Sequence, residues 1–264
     1  MLTVTNVIKI FNSGTVNEKK ALNGVKLHLK AGDFVTVIGS NGAGKSTLMN
    51  VISGVFPIEQ GKIIIDGLDV TCHPEYHRGK IIGRVFQDPM MGTAAGMTIE
   101  ENLVLALRRG QKRSITKAIK TKDRELFREK LKLLGLNLEH NLQQKVGLLS
   151  GGQRQALTLL MATLTKPKLL LLDEHIAALD PKTAHQVMEL TKQIIKSNQI
   201  TTLMITHDLH QALAVGNRTI MMHEGEIVYE LKGDERKKAS VSTLLSLFEK
   251  ARGREFSNDR MMLI

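Results

Sequence analysis

Short apolar runs with the spacing of β-strands alternate with segments that have the spacing of α-helices along much of this chain. The runs at 168–172 and 201–205 end in consecutive apolar residues, as expected of strands buried on both faces of a parallel sheet. A hairpin is predicted where 220–222 and 226–229 flank the turn signal His223, Glu224 and Gly225. Further strands are predicted at residues 4–10, 25–29, 34–38 and 61–66.

Helical periodicity dominates from residue 97 to residue 165, and a short terminal helix is predicted at 241–251. Alternating strands and helices favour a mostly parallel sheet flanked by helices. We therefore predict an α/β fold with an antiparallel β layer and an inserted helical subdomain at about 88–165. The main domain is predicted to span residues 1–232, and a short helical tail follows at 233–264.

A glycine-rich stretch fits the phosphate-binding pattern G-x-x-x-x-G-K-[ST]. It lies between the predicted strand 34–38 and a predicted helix at 45–53, which ends at Gly54. Glycines let backbone N–H groups converge on phosphate oxygens, and the helix N-terminus adds positive charge. Lys45 supplies a cation to the phosphates, and Ser46 offers a hydroxyl to Mg²⁺. The pattern predicts a P-loop NTPase core that binds ATP or GTP through Gly39, Ser40, Asn41, Gly42, Ala43, Gly44, Lys45, Ser46 and Thr47.

A second glycine-rich stretch opens the amphipathic segment 155–164 and consists of Ser150, Gly151, Gly152 and Gln153. Serine followed three positions later by glutamine is a capping box, so one interpretation is a well-capped helix. The capping box does not require glycine between its ends, and glycines there expose backbone N–H groups that form an anion site. Since one ATP does not easily need two such cradles, we expect this site to complete a nucleotide pocket on another subunit.

Composition limits the classes of protein to consider. A chain of 264 residues with 42% hydrophobic residues buries a sizeable core, and a single cysteine, Cys72, fits a reducing compartment. No run approaches the roughly 18 uncharged apolar residues that a membrane span needs, and the N-terminus lacks a signal-peptide pattern, so we expect a soluble, cytoplasmic chain. The net charge of +11 favours an anionic partner: nucleotide, nucleic acid or lipid headgroups.

Residues 149–155 read Leu-Ser-Gly-Gly-Gln-Arg-Gln and resemble the signature of ATP-binding-cassette (ABC) ATPases. The other motifs of that family follow in the right order, and the resemblance covers the chain to about Tyr229. It implies an ATPase that uses ATP and Mg²⁺. In this family the signature stretch of one copy contacts the ATP held by another.

The resemblance also implies roles for residues at the ends of predicted strands. Asp173 would hold Mg²⁺ together with Ser46, and Glu174 would be the general base that polarises the attacking water. Gln87 would contact Mg²⁺ and that water, and His207 would contact the γ-phosphate. A lone glutamine or histidine after a strand is more often structural, so these two roles depend on their position relative to the other motifs.

Two further positions match the family. Asp180 resembles a residue of the loop that crosses the dimer interface, and Phe11 falls where the family stacks an aromatic ring on adenine. A core role for Phe11 is equally consistent with the residue taken alone. The chain departs from the family pattern at His175, where many relatives have proline, without losing a catalytic group.

The family mechanism implies the partners of this chain. Two ATPases face each other head to tail, and each ATP lies between the phosphate loop of one and residues 150–152 of the other, so ATP favours the closed dimer. We expect a second copy or a paralogous ATPase, transmembrane permease subunits and, indirectly, an extracellular solute-binding protein, with no nucleic acid. The chain would lie at the cytoplasmic face of the cell membrane.

Residues 174–184 resemble bacterial importer ATPases related to the branched-chain amino-acid group, including those assigned to tryptophan or tyrosine uptake. We therefore expect a subunit that energises import of amino acids or similar small solutes. A soluble ABC ATPase of the iron–sulfur assembly type is the alternative, and the transporter-like runs 153–155 and 98–103 disfavour it. An ABC ATPase of nucleic-acid repair or translation usually has coiled-coil insertions or a second cassette, which this chain lacks.

The segment 108–132 carries eleven Lys and Arg against three Asp and Glu. Such a segment is either a solvated helical face or a contact for anionic lipid at a membrane surface.

Overall fold

The computed structural model describes residues 1–111 and 119–261, and these fall into two compact units. The first unit is formed by Met1–Pro74 and Leu203–Ile264, and the second by Glu75–Thr202. The predicted helical insertion at 88–165 lies within the second unit.

Strands and helices alternate along the chain, with two short 3₁₀ helices at Leu138–His140 and Val146–Leu148. In chain order the strands and α-helices are β1 (Leu2–Phe11), β2 (Lys19–Leu29), β3 (Phe34–Gly39), α1 (Lys45–Ser53), β4 (Gln60–Ile65), β5 (Leu68–Asp69), α2 (Glu75–Arg78), β6 (Ile82–Val85), α3 (Ile99–Leu107), α4 (Thr121–Lys132), α5 (Gly151–Thr163), β7 (Leu169–Asp173), α6 (Pro181–Asn198), β8 (Thr201–Ile205), α7 (Leu209–Ala214), β9 (Arg218–His223), β10 (Glu226–Lys232), α8 (Gly233–Lys238) and α9 (Val241–Met261).

The first unit contains the predicted antiparallel layer, in the strand order β2-β1-β4-β5. Leu2 of β1 lies opposite Leu29 on one side and Ile65 on the other, and all three side chains are buried. Strand β2 begins at Lys19, earlier than the predicted start at residue 25, because Lys19 pairs with Phe11 across the ladder. The start of β2 is therefore set by backbone pairing, which the spacing of apolar residues does not predict.

The phosphate-loop segment of the first unit follows a buried strand. Strand β3 pairs in parallel with β9, β9 pairs antiparallel with β10, and β8 lies on the other side of β3. The predicted strand 34–38, helix 45–53 and hairpin at His223 to Gly225 are confirmed. The helix bounds agree because Gly54 ends α1 in the left-handed conformation, with φ of 86°.

In the second unit, β6 and β7 pair in parallel, with Ile82 opposite Leu169 and Val85 opposite Leu172. A helical core lies beside them, built from α3, α4 and α5, and its centre includes the fully buried Phe127. The predicted mixture of a parallel sheet, an antiparallel layer and an inserted helical region is therefore the observed α/β architecture.

The terminal helix is longer than the sequence pattern indicates. It was expected to end at residue 251, but α9 continues to Met261. Residues 252–261 contain no proline, and a single glycine, Gly253, weakens a helix without ending it. The prediction was therefore wrong at this boundary.

Within the basic segment, several cations have partners inside the protein. Arg108 pairs with Asp123 at 3.0 Å, and Arg109 reaches Thr165 Oγ1 at 3.2 Å. Residues 112–118 of this segment lie outside the described residues. The solvated-face and lipid-contact interpretations of this segment both stay predictions.

In the described parts of the chain, no helix combines the length and apolar character needed to cross a lipid bilayer.

A partly buried ion pair joins two helices of the second unit. Arg124 of α4 donates to both carboxylate oxygens of Glu100 of α3, at 2.8 and 3.0 Å, and Gln143 also contacts that carboxylate. The hydrogen bonds from Arg124 lower the pKa of Glu100, although burial opposes the shift. The pair therefore stabilises the folded state most when Glu100 is ionised.

We predict that Glu100→Gln lowers the free energy of unfolding by about 1–3 kcal/mol near neutral pH, because it leaves Arg124 without its charged acceptor. The folded-state pKa of Glu100 lies below its ordinary value of 4.5, so this contribution is complete above 4.5 and is lost as the pH falls through the lower value. Urea unfolding near neutral pH and in acid, with the exposed Glu125→Gln as control, measures it. A stability difference that does not shrink in acid would contradict this assignment.

Candidate nucleotide-binding site

The phosphate loop and helix α1 form a compact cradle in the first unit. Lys45 is 8% exposed, and its Nζ donates to the carbonyl oxygens of Gly39 at 2.8 Å and Ser40 at 2.9 Å. Among the described residues no side chain caps the N-terminus of α1. An uncapped helix N-terminus beside a buried cation is an environment suited to an anion such as phosphate.

Gly44 is one of the positions in this loop where the fold requires glycine. Its φ is 96°, and a Cβ there would lie 2.6 Å from the carbonyl oxygen of Ala21. Both the left-handed backbone and the close approach of β2 exclude a side chain. The loop conformation that precedes Lys45 is therefore fixed by packing within the first unit.

Phe11 lies at the end of β1, half-buried, in the same unit. Its ring packs edge-on against Phe56, with centroids 5.2 Å apart, and Lys9 Nζ lies 5.3 Å from its centroid. The structure thus gives Phe11 packing contacts. Its role in stacking on adenine stays a prediction.

His207 is exposed just after the end of β8. The loop around it is ordered by its neighbours: the side chain of Asp208 accepts from the backbone N–H of His210 and Gln211 and begins α7. Thr206 donates its backbone N–H to Val37 of β3. These bonds hold the segment that presents His207, whose contact with the γ-phosphate stays a prediction.

In the second unit, the buried strand β7 ends in the carboxylate of Asp173. Arg84 of β6 lies beside it, with its Nη2 3.6 Å from Asp173 Oδ2. The guanidinium of Arg84 also lies over the ring of Phe86 at 4.6 Å. The carboxylate predicted to hold Mg²⁺ therefore has an internal cationic neighbour.

Glu174 follows directly and has a left-handed backbone, with φ of 44°. This conformation is unfavourable for a residue with a side chain and persists where surrounding contacts hold it. The next side chain, His175, is 2% exposed, and its Nε2 lies 3.1 Å from Thr191 Oγ1 of α6. Burial lowers the pKa of His175 to about 4, so this imidazole is neutral near pH 7.

Gln87 is exposed after the end of β6. The residue before it is fixed from α5, because Nε2 of the fully buried Gln155 donates to the carbonyl oxygen of Phe86 at 3.2 Å. Within the described residues, Oε1 of Gln155 is buried without a hydrogen-bond partner. Gln155 therefore connects the signature helix to the loop that carries Gln87.

The signature stretch begins α5 with the predicted capping box. Ser150 Oγ accepts from the Gln153 backbone N–H at 3.3 Å, and Gln153 Oε1 accepts from the Ser150 backbone N–H at 3.1 Å. The capping interpretation is confirmed. It explains Ser150 and Gln153, and it leaves the two glycines between them to be explained.

The two glycines have different environments. A Cβ on Gly152 would lie 2.1 Å from Thr183 Cγ2 of α6, whereas a Cβ on Gly151 would make an ordinary contact of 3.5 Å with Leu179. Gly152 is therefore needed for the close approach of α5 and α6. Gly151 is exposed and has no such constraint within its own unit.

Asp180, which precedes α6, is its N-cap. Its Oδ1 accepts from the Thr183 backbone N–H at 3.1 Å, and hydrogen bonds from Thr183 lower the pKa of Asp180. The residue is exposed. Its structural role is thus clear within one chain, and its role at a dimer interface stays a prediction.

The residues present fit a nucleotide and Mg²⁺ in chemical type. The phosphate loop offers N–H groups and Lys45, and Asp173 offers a carboxylate of the kind Mg²⁺ prefers. Across residues 1–111 and 119–261 there is no cluster of three or more His, Cys, Asp or Glu side chains able to hold a metal.

Sequence reasoning gave no individual role to four residues that contact the candidate site: Arg84, Gln155, Thr183 and Thr191. Val187, Thr191 and Ile195 share one buried face of α6 at a spacing of four residues. That spacing marks Thr191 as internal, but nothing in the sequence indicates that it faces His175.

The chain matches the family model described as ABC transporter over residues 22–177. It is 45% identical to a "Tyrosine transport ATP-binding protein" of Clostridioides difficile, in an alignment that covers 95% of this chain and 100% of that protein. It is 34% identical to an energy-coupling factor transporter ATP-binding protein of Streptococcus pyogenes, over 82% of this chain and 74% of that protein.

Solved structures of ATP-binding cassettes resemble this chain over most of its length. One is a dimeric cassette in a post-hydrolysis state bound to ADP and Pi, with a TM-score of 0.75 and 30% identity over 88% of this chain and 98% of that one. Another is the ADP conformation of an ABC transporter cassette, with a TM-score of 0.75 and 31% identity over 94% and 98% of the two chains.

We predict that Gly152→Ala destabilises the protein by about 1–3 kcal/mol, because its Cβ would overlap the stiff side chain of Thr183. That loss corresponds to a fall in Tm of roughly 3–8 °C. Adding Thr183→Ser removes the overlapping methyl group, so the double variant should recover most of the loss. Gly151→Ala is the matched control. Equal melting temperatures for the two single alanine variants would refute the packing argument.

Proposed function

The chain belongs to the ABC transporter family, and we propose that it is the ATP-hydrolysing subunit of a bacterial importer for amino acids or similar small solutes. The observation that carries this proposal is the 45% identity, over 95% of this chain, to a relative named for tyrosine transport. The resemblance of residues 174–184 to importer ATPases supports it from the sequence. Tyrosine or a related amino acid is accordingly the first solute to test.

ATP binding is assigned to the loop from Gly39 to Thr47. The N–H groups of the loop and of the α1 N-terminus would surround the phosphates, and Lys45 would move its cation from backbone carbonyls to phosphate oxygens. Phe11 would stack on the adenine ring. His207 would contact the γ-phosphate.

Hydrolysis is assigned to the loop after β7. Glu174 would orient and polarise the attacking water, and Gln87 would contact the same water. Asp173 and Ser46 would bind Mg²⁺. The ion, when bound, would neutralise part of the negative charge of the phosphates. The left-handed backbone at Glu174 supports this assignment, since strained backbone that neighbouring contacts maintain is typical of reacting groups.

Two copies, or one copy and a paralogue, would clamp ATP between them. Ser150 and Gly151 are exposed at the start of α5, and Gly151 carries no packing constraint of its own unit, which supports contact with a nucleotide held by another subunit. ATP would favour the closed dimer because its γ-phosphate contacts both cradles, and hydrolysis would remove that preference. Asp180 would lie at the same interface.

The remaining partners follow from the transporter assignment. Permease subunits would bind this chain at the cytoplasmic face of the membrane and convert its opening and closing into transport. A solute-binding protein would act on the other side of the membrane without contacting it. No role for nucleic acid is proposed.

We predict that Glu174→Gln keeps ATP binding, lowers kcat by about 10²–10⁴-fold and accumulates an ATP-bound dimer. The reason is that the amide keeps the shape of the side chain but cannot accept the proton of water. Phosphate release, nucleotide affinity and size-exclusion chromatography with ATP measure the three effects. The exposed Glu189→Gln in α6 is the control, and wild-type turnover in Glu174→Gln would remove the residue from this role.

Import itself needs a cellular measurement. We predict that deleting the gene lowers uptake of labelled tyrosine, that the wild-type chain restores it, and that Glu174→Gln does not. Polytopic membrane proteins should co-purify with the wild type and with the Glu174→Gln variant, because this substitution leaves the surface that binds the permease intact. Normal tyrosine uptake in the deletion strain would point to another solute, and failure to co-purify any membrane protein would exclude the importer assignment.

A further inference from the structure

The loop that presents Glu174 is attached to the body of the second unit through His175. His175 is buried, and its ring contacts Thr191 in the middle of α6 at 3.1 Å. Thr191 is itself fully buried. The contact thus joins two buried polar side chains, one of which follows a residue with φ of 44°.

The direction of the hydrogen bond follows from the partners of Thr191. Its hydroxyl lies 2.7 Å from the carbonyl oxygen of Val187, which can only accept, so the hydroxyl proton is committed to that bond. The oxygen of Thr191 must then accept from His175, and the imidazole carries its proton on Nε2. Thr191 therefore links the imidazole ring of His175 to the backbone of α6 through two hydrogen bonds.

Helix α6 is held at its other end as well. Asp180 caps its N-terminus, and Thr183 in its first turn packs against Gly152 of the signature helix. The same helix therefore contacts the signature stretch near its start and the Glu174 loop near its middle. A displacement of α6 would therefore shift both the signature stretch and the Glu174 loop, because closely packed elements transmit strain to their neighbours.

We propose that His175 is a positioning residue for ATP hydrolysis, and that its hydrogen bond to Thr191 ties the backbone presenting Glu174 to helix α6. The inference rests on the proposed role of Glu174 as general base. His175 makes no contact with the reacting atoms and acts through the residue before it.

The first test removes the acceptor. Thr191→Val keeps the shape of the side chain but has no oxygen, and we expect kcat to fall about tenfold while KM for ATP changes by less than about twofold. Thr191→Ser keeps the oxygen and is the matched control, expected to stay within about twofold of wild type in both constants. A loss only in kcat indicates misplacement of the base, whereas a general loss of structure would also weaken ATP binding.

The second test removes the donor without touching α6. His175→Leu should reproduce the loss in kcat, and His175→Gln, whose Nε2 reaches toward the same oxygen, should restore part of it. The double variant His175→Leu/Thr191→Val should have a kcat no lower than that of the slower single variant, because the two substitutions remove the same hydrogen bond. Losses that multiply in the double variant would overturn the proposal, as would unchanged kcat in Thr191→Val.

Folding and the base assignment are checked separately. If Thr191→Val does not fold, the comparison of His175→Leu with His175→Gln decides the proposal, and equal kcat values for those two variants would overturn it. Glu174→Gln is measured beside them. An inactive Glu174→Gln together with a fully active Thr191→Val would reject the positioning role and leave the general base in place, whereas an active Glu174→Gln would reject the base itself.

Discussion

The close approach of α5 and α6 is the constraint on which the functional part of the second unit depends. It is possible only because Gly152 has no side chain where Thr183 of α6 needs the space. Once the helices are this close, the N-terminus of α5, the cap at Asp180 and the loop anchored by Thr191 are fixed relative to one another. The positions of the predicted catalytic and signature residues in this unit are consequences of helix packing.

Several residues proposed to bind nucleotide also form hydrogen bonds that stabilise the fold of a single chain. Ser150 caps α5, Asp180 caps α6 and Lys45 bonds two backbone carbonyls of its own loop. The side chains of Ser150 and Asp180 are preorganised, because little conformational entropy remains to be lost when a ligand arrives, whereas Lys45 would exchange its carbonyl partners for phosphate oxygens. These hydrogen bonds also mean that removing such a residue affects stability and ligand binding together. Substitutions that keep the shape of the side chain, such as Glu174→Gln, separate the two effects better than truncations to alanine.

The sequence predicted the fold and the site residues to different extents. Helix α1 was predicted with its observed bounds, because Gly54 gives a strong stop signal and the phosphate-loop pattern fixes the start. The start of β2 was missed because Lys19 joins the sheet through backbone pairing, and the end of α9 was missed because no residue after 251 breaks a helix decisively. Motif residues lie in loops with recognisable patterns. Arg84, Gln155 and Thr191 act through contacts between residues distant in sequence, and one chain alone gives no signal for such contacts.

The pairing of Arg84 with Asp173 bears on how a magnesium ion would be bound. A guanidinium 3.6 Å from the carboxylate repels a divalent cation at the same oxygen atoms, and a half-buried position weakens the screening of that repulsion. Asp173 therefore attracts a free ion less strongly than an isolated carboxylate would. If Asp173 holds Mg²⁺ as proposed, the negative charge of phosphate oxygens would offset this repulsion, and the ion would bind together with ATP. Arg84 would then make the metal affinity of Asp173 depend on bound nucleotide.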